Sequence, residues 1–221
     1  MTRLPLFAAA GLAALVFSAA ASYAQETPAP PAQQPPLSPE IAAAAAKDEP
    51  PEPPSWIKQC ADQKESGKTL CQTARDLRGP NGQVLASLAV SEEKGSGKRK
   101  LSIAVPPGLQ IQPGIRVFVD EQNTANARYT ICYPAACVVE ADATDAVVGA
   151  MKKGKVLIIQ AITIEGKGAT FPVSLPGFGK AFDDEPMPND QFAKIQKDWA
   201  DKMNAWLVAH PPKRQAAQPQ Q

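Results

Sequence analysis

Four cysteines, one histidine and a few clustered carboxylates are the side chains of this sequence that could do chemistry. Cys132 and Cys137 flank Tyr133-Pro134-Ala135-Ala136, and Cys60 and Cys71 flank a stretch centred on Glu65-Ser66. A thioredoxin-type redox centre sets two residues between its cysteines, at a helix N-terminus that depresses the thiol pKa. Here Tyr133 to Ala136 intervene, between apparent strands. A zinc site draws on thiolates or imidazoles, and His210 is the single histidine. It falls at the end of the last predicted helix beside Pro211, poorly placed for a buried general base. Ser-His-Asp and Cys-His catalysis are therefore nearly excluded. Asp183, Asp184 and Glu185 follow "GFGKAF" and read as a solvated loop in preference to paired carboxylates for hydrolysis or a calcium site. With Asp120, Asp183 and Asp184 are the carboxylates that a hydrolase or ligand-binding reading would use. "EEKGSGKRK" lacks the Gly-four-residues-Gly-Lys-Ser/Thr order of a phosphate loop. It reads as a hairpin tip carrying a local basic patch, Lys94, Lys98, Arg99 and Lys100, with contact to anionic lipid or polysaccharide as the lesser reading.

What the cysteines do depends on the compartment. The chain opens "MTRLPLFAAAGLAALVFSAAASYAQE": Arg3, an apolar run from Leu6 to Ala20, then Ser22 and Ala24 as small residues before a cut. This predicts a signal peptide over 1–24, cleaved between Ala24 and Gln25. The apolar run is short against the about 20 residues of a spanning helix, so no stable membrane insertion is expected after cleavage. No cysteine stands at the cut, which argues against a lipoprotein. The expected location is the periplasm of a Gram-negative envelope or the medium outside it. Exported cysteines pair, and of the three possible pairings the local one is favoured. A hairpin turning at Glu65 to Gly67 sets Cys60 opposite Cys71, and one turning at Pro134-Ala135 sets Cys132 opposite Cys137. Pro134 suits a type I turn and cannot take the positive φ of the primed hairpin turns, so a distorted or wider tip is predicted. Loop closure makes the two bonds worth roughly 3 and roughly 2 kcal/mol. Losing residues 1–24 removes only Arg3 among charged groups and leaves 22 basic against 22 acidic residues. No basic stripe suited to nucleic acid results.

Several elements must position these groups. Residues 25–54, dominated by proline, cannot bury enough surface to offset ordering and are predicted to be a disordered tether. A β-rich domain is predicted over 55–186. "VLASLAV" (Val84, Ala86, Leu88, Val90), "LSIAV" (Leu101, Ile103, Val105), "IRVFVD" (Ile115, Val117, Val119), "RYTICY" (Tyr129, Ile131, Tyr133), "KVLIIQAITI" and "TFPVSL" (Phe171, Val173, Leu175) follow strand periodicity between Gly- and Pro-rich turns. The pattern predicts a mainly β fold, an antiparallel β-sandwich or barrel-like domain. "TDAVVGAMKKG" interrupts it as one short helix, capped by Thr144 and ended by Gly154. Residues 187–210 form an amphipathic C-terminal helix with Asn189 as N-cap. Phe192, Ile195, Trp199, Met203, Trp206 and Leu207 fall on one face of it. That face, with Trp199 and Trp206, either packs on the domain or meets a partner. The tail 211–221 is predicted to be disordered.

Trp56 shortly before Cys60, then Cys71, "LSIAVPPGLQIQPGIRVFVD" ending in Asp120, the Cys132/Cys137 pair, a short helix and "FPVSLPGFGKAFD" together resemble the invasion-associated locus B family of Gram-negative envelope proteins. The resemblance covers roughly Trp56 to Asp183. It implies an exported, mostly β protein without assigned catalysis or cofactor; some members are linked to bacterial entry into host cells. The resulting expectation is a non-enzymatic envelope protein, without metal or cofactor, that binds an envelope or host-surface partner and contributes to host-cell invasion. The rivals are a periplasmic small-ligand or glycan binder or hydrolase using the loop carboxylates, and a thiol-redox protein.

Overall fold

The computed structural model describes Ala43, residues 46–64 and residues 67–211, with Asn123 described by its backbone. The expected signal peptide, most of the 25–54 segment and the tail from 212 lie outside these residues. Nine strands follow the chain: β1 Ile57–Gln63, β2 Lys68–Arg78, β3 Val84–Glu93, β4 Arg99–Val105, β5 Ile115–Val119, β6 Gln122–Cys132, β7 Cys137–Asp142, β8 Val156–Ile162 and β9 Gly168–Ser174. They form one antiparallel sheet in the order β1-β2-β3-β4-β7-β6-β5-β8-β9. The sheet curls until β9 touches β2 and β3, giving the barrel-like alternative of the predicted fold.

Period-two patterning does the curling. Leu101, Ile103 and Val105 of β4, Ile115, Val117 and Val119 of β5, and Leu157, Ile159 and Ala161 of β8 all face a common buried core. Helix α1, Asp145–Lys153, packs there through Val147, Val148 and Met151. Thr144 caps it, its hydroxyl oxygen accepting the Val147 N–H at 3.3 Å. Gly154 ends it where a β-carbon would sit 2.4 Å from Val119 Cγ1.

The open seam between β2 and β9 is closed by residues of the motifs quoted above. Trp56 donates its indole N–H to the Ser174 carbonyl at 2.9 Å. Its ring stands edge-on to Phe178 at 4.9 Å, and Phe178 packs on Phe182 at 5.5 Å. These two phenylalanines belong to α2, Phe178–Asp183, a helix the sequence patterning does not predict. Lys58 of β1 donates to the carbonyls of Phe182 (2.9 Å) and Asp184 (3.1 Å) at its far end.

Three local expectations are corrected. Tyr129, Ile131 and Tyr133 do not share an inward face, because the β6–β7 register shifts between Tyr129 and Ile131. A one-residue bulge moves everything after it to the other face, so Ile131 and Tyr133 stand exposed. Val84, at the start of β3 beside the register shift at Leu77/Arg78, is exposed as well. Asn189 is not the cap of the C-terminal helix α3, Asn189–Ala209; Pro188 holds that position, its carbonyl accepting the Phe192 N–H at 3.0 Å. Asn189 Oδ1 instead accepts from Gln59 Nε2 at 3.2 Å.

Helix α3 lies across the outer face of β2. The Arg78 guanidinium sits 4.5 Å over the Trp199 ring, and Met203 reaches the Gly82 turn. Lys47–Pro54, which composition assigns to the tether, runs along the helix and accepts hydrogen bonds from both its tryptophans. Among the described residues no helix is long and apolar enough to cross a membrane.

Candidate functional site

The groups with chemical potential are built into the scaffold. Cys60 and Cys71 are register partners across β1 and β2, Cys132 and Cys137 across β6 and β7, and each pair is bonded. No cysteine is free. His210 stacks on Trp206 at 4.6 Å, its Nδ1 3.1 Å from the Trp206 carbonyl oxygen. Asp183 pairs with Lys152 at 2.6 Å, and Asp184 pairs with Lys180.

Asp120 is a turn lock. It sits between β5 and β6 with φ 53°, a conformation Asp tolerates better than most residues. Its Oδ1 accepts the N–H groups of Val156 and Lys155, each at 3.0 Å. These two bonds, Val156 first, hold its carboxyl below the usual carboxylate range. A lowered folded-state pKa stabilises the fold above the unfolded value, about 3.9, and that contribution is lost as pH falls through the lower folded value. Urea midpoints measured from pH 6 downward should therefore fall below about pH 4. Asp120→Asn, which keeps an oxygen acceptor and cannot titrate, should show a shallower fall. Identical profiles would remove Asp120 from this role.

The basic patch is half neutralised. Arg99 pairs with Asp145 and Lys100 with Asp142, the latter at 2.8 Å. Lys94 and Lys98 stand exposed on the β3–β4 turn, beside the Lys68–Glu93 pair at 2.8 Å. The surface there is of mixed sign. Trp199 and Trp206 are covered in cis: Trp206 is 9 % exposed, Trp199 is half-buried, and both indole N–H groups are bonded to the 47–54 segment.

A different surface emerges from the topology. In this antiparallel order the ends of β2, β4, β6 and β8 and the starts of β3, β5, β7 and β9 lie at one end of the sheet. Among the described residues, five of the seven exposed large apolar side chains stand there. They are Val84, Ile111, Ile131, Tyr133 and Ile164, at 44 %, 52 %, 46 %, 55 % and 66 % exposure. Leu70 lies at the opposite end and Val208 on α3. Single exposed hydrophobics are ordinary; their collection at one end of the fold makes that end a candidate association surface.

Their supports are rigid. The 106–114 loop is tied to the β8–β9 turn by the Leu109–Thr163 bridge, by Gln110 N–H to the Ile162 carbonyl (2.7 Å), and by Ile164 N–H to the Gly108 carbonyl (3.0 Å). The Tyr133 tip is closed by the Cys132–Cys137 bond and by Tyr133 N–H donating to the Ala136 carbonyl at 2.8 Å. Side chains already held in place lose little freedom on docking. Beside them, β5 pairs with β6 only as far as Ala127, so Arg128–Cys132 has one strand partner, β7. Sequence reasoning missed this surface. The available signal was large apolar residues inside turn segments: Ile111 after "PPGLQ", Ile164 before "EGKG", Tyr133 before Pro134.

A family model described as "Invasion associated locus B (IalB) protein" matches residues 56–186. A solved structure, the crystal structure of invasion associated protein B from Bartonella henselae, is similar to this chain. The identity is 23 %, the likeness covers 65 % of this chain and 93 % of that one, and the TM-score is 0.53. That likeness concerns the fold. No curated protein matches. The matched stretch begins at the tryptophan that closes the seam and stops short of α3, so residues 47–54 and the helix they line fall outside it.

Proposed function

The chain belongs to the invasion-associated locus B family, and from that premise we propose that it is an exported, non-enzymatic binding protein that meets an envelope or host-surface protein through the apolar end of its half-barrel. The observation that carries this is the gathering of Val84, Ile111, Ile131, Tyr133 and Ile164 at one end, on strand ends and on hydrogen-bonded turns. Export to the periplasm or beyond is supported by the predicted signal peptide and by the two disulfides, which persist in oxidising compartments. The absence of catalysis is supported by the engagement of the candidate groups: the thiols are bonded to each other, and Asp120, Asp183 and Asp184 each hold a structural partner. A contribution to host-cell entry is consistent with the name of the Bartonella relative and follows if the partner is a host protein.

A photo-crosslinking residue placed at Tyr133, at Ile164, or at Leu70 tests the reading in living cells. Leu70 is the control, an exposed apolar residue at the opposite end. The expected result is one adduct of common size from positions 133 and 164 and none from 70. Tyr133→Asp with Ile164→Asp should reduce a crosslink from Ile111 about tenfold, the equivalent of roughly 1.4 kcal/mol of binding. Adducts from none of the positions, or equally from Leu70, overturn the assignment.

A further inference from the structure

Lys47–Pro54 reads Lys-Asp-Glu-Pro-Pro-Glu-Pro-Pro and has no helix or strand of its own. Two indole N–H groups hold it to α3: Trp206 Nε1 donates to the Lys47 carbonyl at 2.9 Å, and Trp199 Nε1 to the Pro51 carbonyl at 3.3 Å. The low-numbered residue meets the high-numbered tryptophan, so the segment runs antiparallel to the helix. Two helical turns separating the tryptophans rise about 10.5 Å, and four residues of extended proline-rich chain span about 12 Å. The donors and acceptors are therefore in register. Further along, Pro53 and Pro54 line a cleft of about 230 Å³ with Phe192 and Gln196 of α3 and Ala74 and Arg75 of β2. The charge of Glu52 acts on Arg75, opposing the effect of burial on that guanidinium.

The chemistry of this contact selects a class of ligand. Proline has no N–H and a fixed φ, so a proline-rich segment offers carbonyl acceptors on a backbone that loses little freedom when it docks. Indole donors on an aromatic-lined surface are the usual complement. Glu52, the acidic residue between the prolines, acts on Arg75, whose guanidinium also reaches the Ser174 carbonyl at 3.5 Å.

The geometry points to a docking site for acidic proline-rich segments, built from α3 and the outer face of β2, filled in cis by Lys47–Pro54 and open in trans to such a segment of a partner protein by exchange. The site uses none of the apolar end on which the proposed function rests, so either can fail alone. A tethered occupant competes at an effective concentration in the millimolar range, and loosening it should tighten binding in trans.

The test titrates the full-length chain with a synthetic peptide of its own Ala46–Ser55 sequence while the three indole N–H resonances are followed. Trp199 and Trp206 should shift and saturate. Trp56, bonded to Ser174 inside the seam, should not move. Replacing Pro51, Pro53 and Pro54 of the chain by Gly should lower the saturating concentration about tenfold or more. Trp206→Phe keeps an aromatic ring but loses the indole N–H donor, and should weaken binding about tenfold. A peptide with alanine at its four prolines should not bind. Indoles unmoved at millimolar peptide in both the native and the loosened chain, or moved equally by the alanine peptide, overturn the proposal and leave the segment as a fixed part of the fold.

Discussion

Phe178→Ala lowers the free energy of unfolding by about 4 kcal/mol, the upper range for removing a large buried side chain. The magnitude follows from where the ring sits. Phe178 is fully buried, edge-on to Trp56 at 4.9 Å and tilted against Phe182 at 5.5 Å. The three rings lie where the curled sheet fails to close on itself. Alanine removes the contact through which α2 seats, and a rigid rim of strands cannot collapse into the gap. Phe178→Leu keeps most of the volume and should cost about 1.5 kcal/mol or less. Urea denaturation of the three chains gives the comparison. An alanine variant within about 1 kcal/mol of the parent would mean that α2 is a surface appendage and not the seal of the seam. The same result bears on the family motif. Ser174 to Phe178 is one of the most specific parts of the resemblance, and its residues act on packing: Ser174 accepts the Trp56 N–H, Gly177 turns at φ 90°, and Phe178 fills the core. A motif can thus identify the fold while remaining silent about the partner.

Why some features were readable from sequence follows from particular residues. Leu101, Ile103 and Val105 alternate because each inward position meets the same dry interior, so period two alone reports both strand and core face. Thr144 and Gly154 bracket α1 because a free N–H and a crowded exit each demand one residue type. The disulfide partners could be paired because a hairpin makes equidistant residues neighbours. The bulge before Ile131 could not be seen. It inserts one residue without changing composition, and the three residues Tyr129, Ile131 and Tyr133 look like any inward set. Helix α2 was hidden by its shortness and by two glycines, and it has no capping side chain to announce it. Asp120 was legible as a carboxylate but not as a lock, since its partners, the Lys155 and Val156 amides, are remote in the chain. For the 47–54 segment, composition reports only a lack of apolar surface. That criterion excludes a core role and says nothing about docking through carbonyl acceptors.

Replacing Cys60 and Cys71 together by alanine should destabilise the fold by about 3 kcal/mol, and replacing Cys132 and Cys137 together by about 2, because the first bond closes the longer loop. The two losses should add, since the bonds cross different strand pairs. Their functional consequences should nevertheless run in the opposite order. Cys60–Cys71 fastens β1, an edge strand with β2 as its one strand partner. Trp56 stands immediately before that strand, so loosening it weakens the seam and shifts the urea midpoint most. Cys132–Cys137 closes a tip whose remaining backbone bond is Tyr133 to Ala136. Opening it costs less stability but releases Tyr133 and Ile131 from fixed positions at the apolar end. The Cys132/Cys137 variant should therefore keep most of its resistance to urea and lose most of the crosslink from Tyr133, whereas the Cys60/Cys71 variant, measured well below its midpoint, should retain that crosslink. If both variants lose stability and crosslinking in parallel, the tip is not a separately held recognition element, and the apolar end would have to be regarded as one more part of a cooperative scaffold.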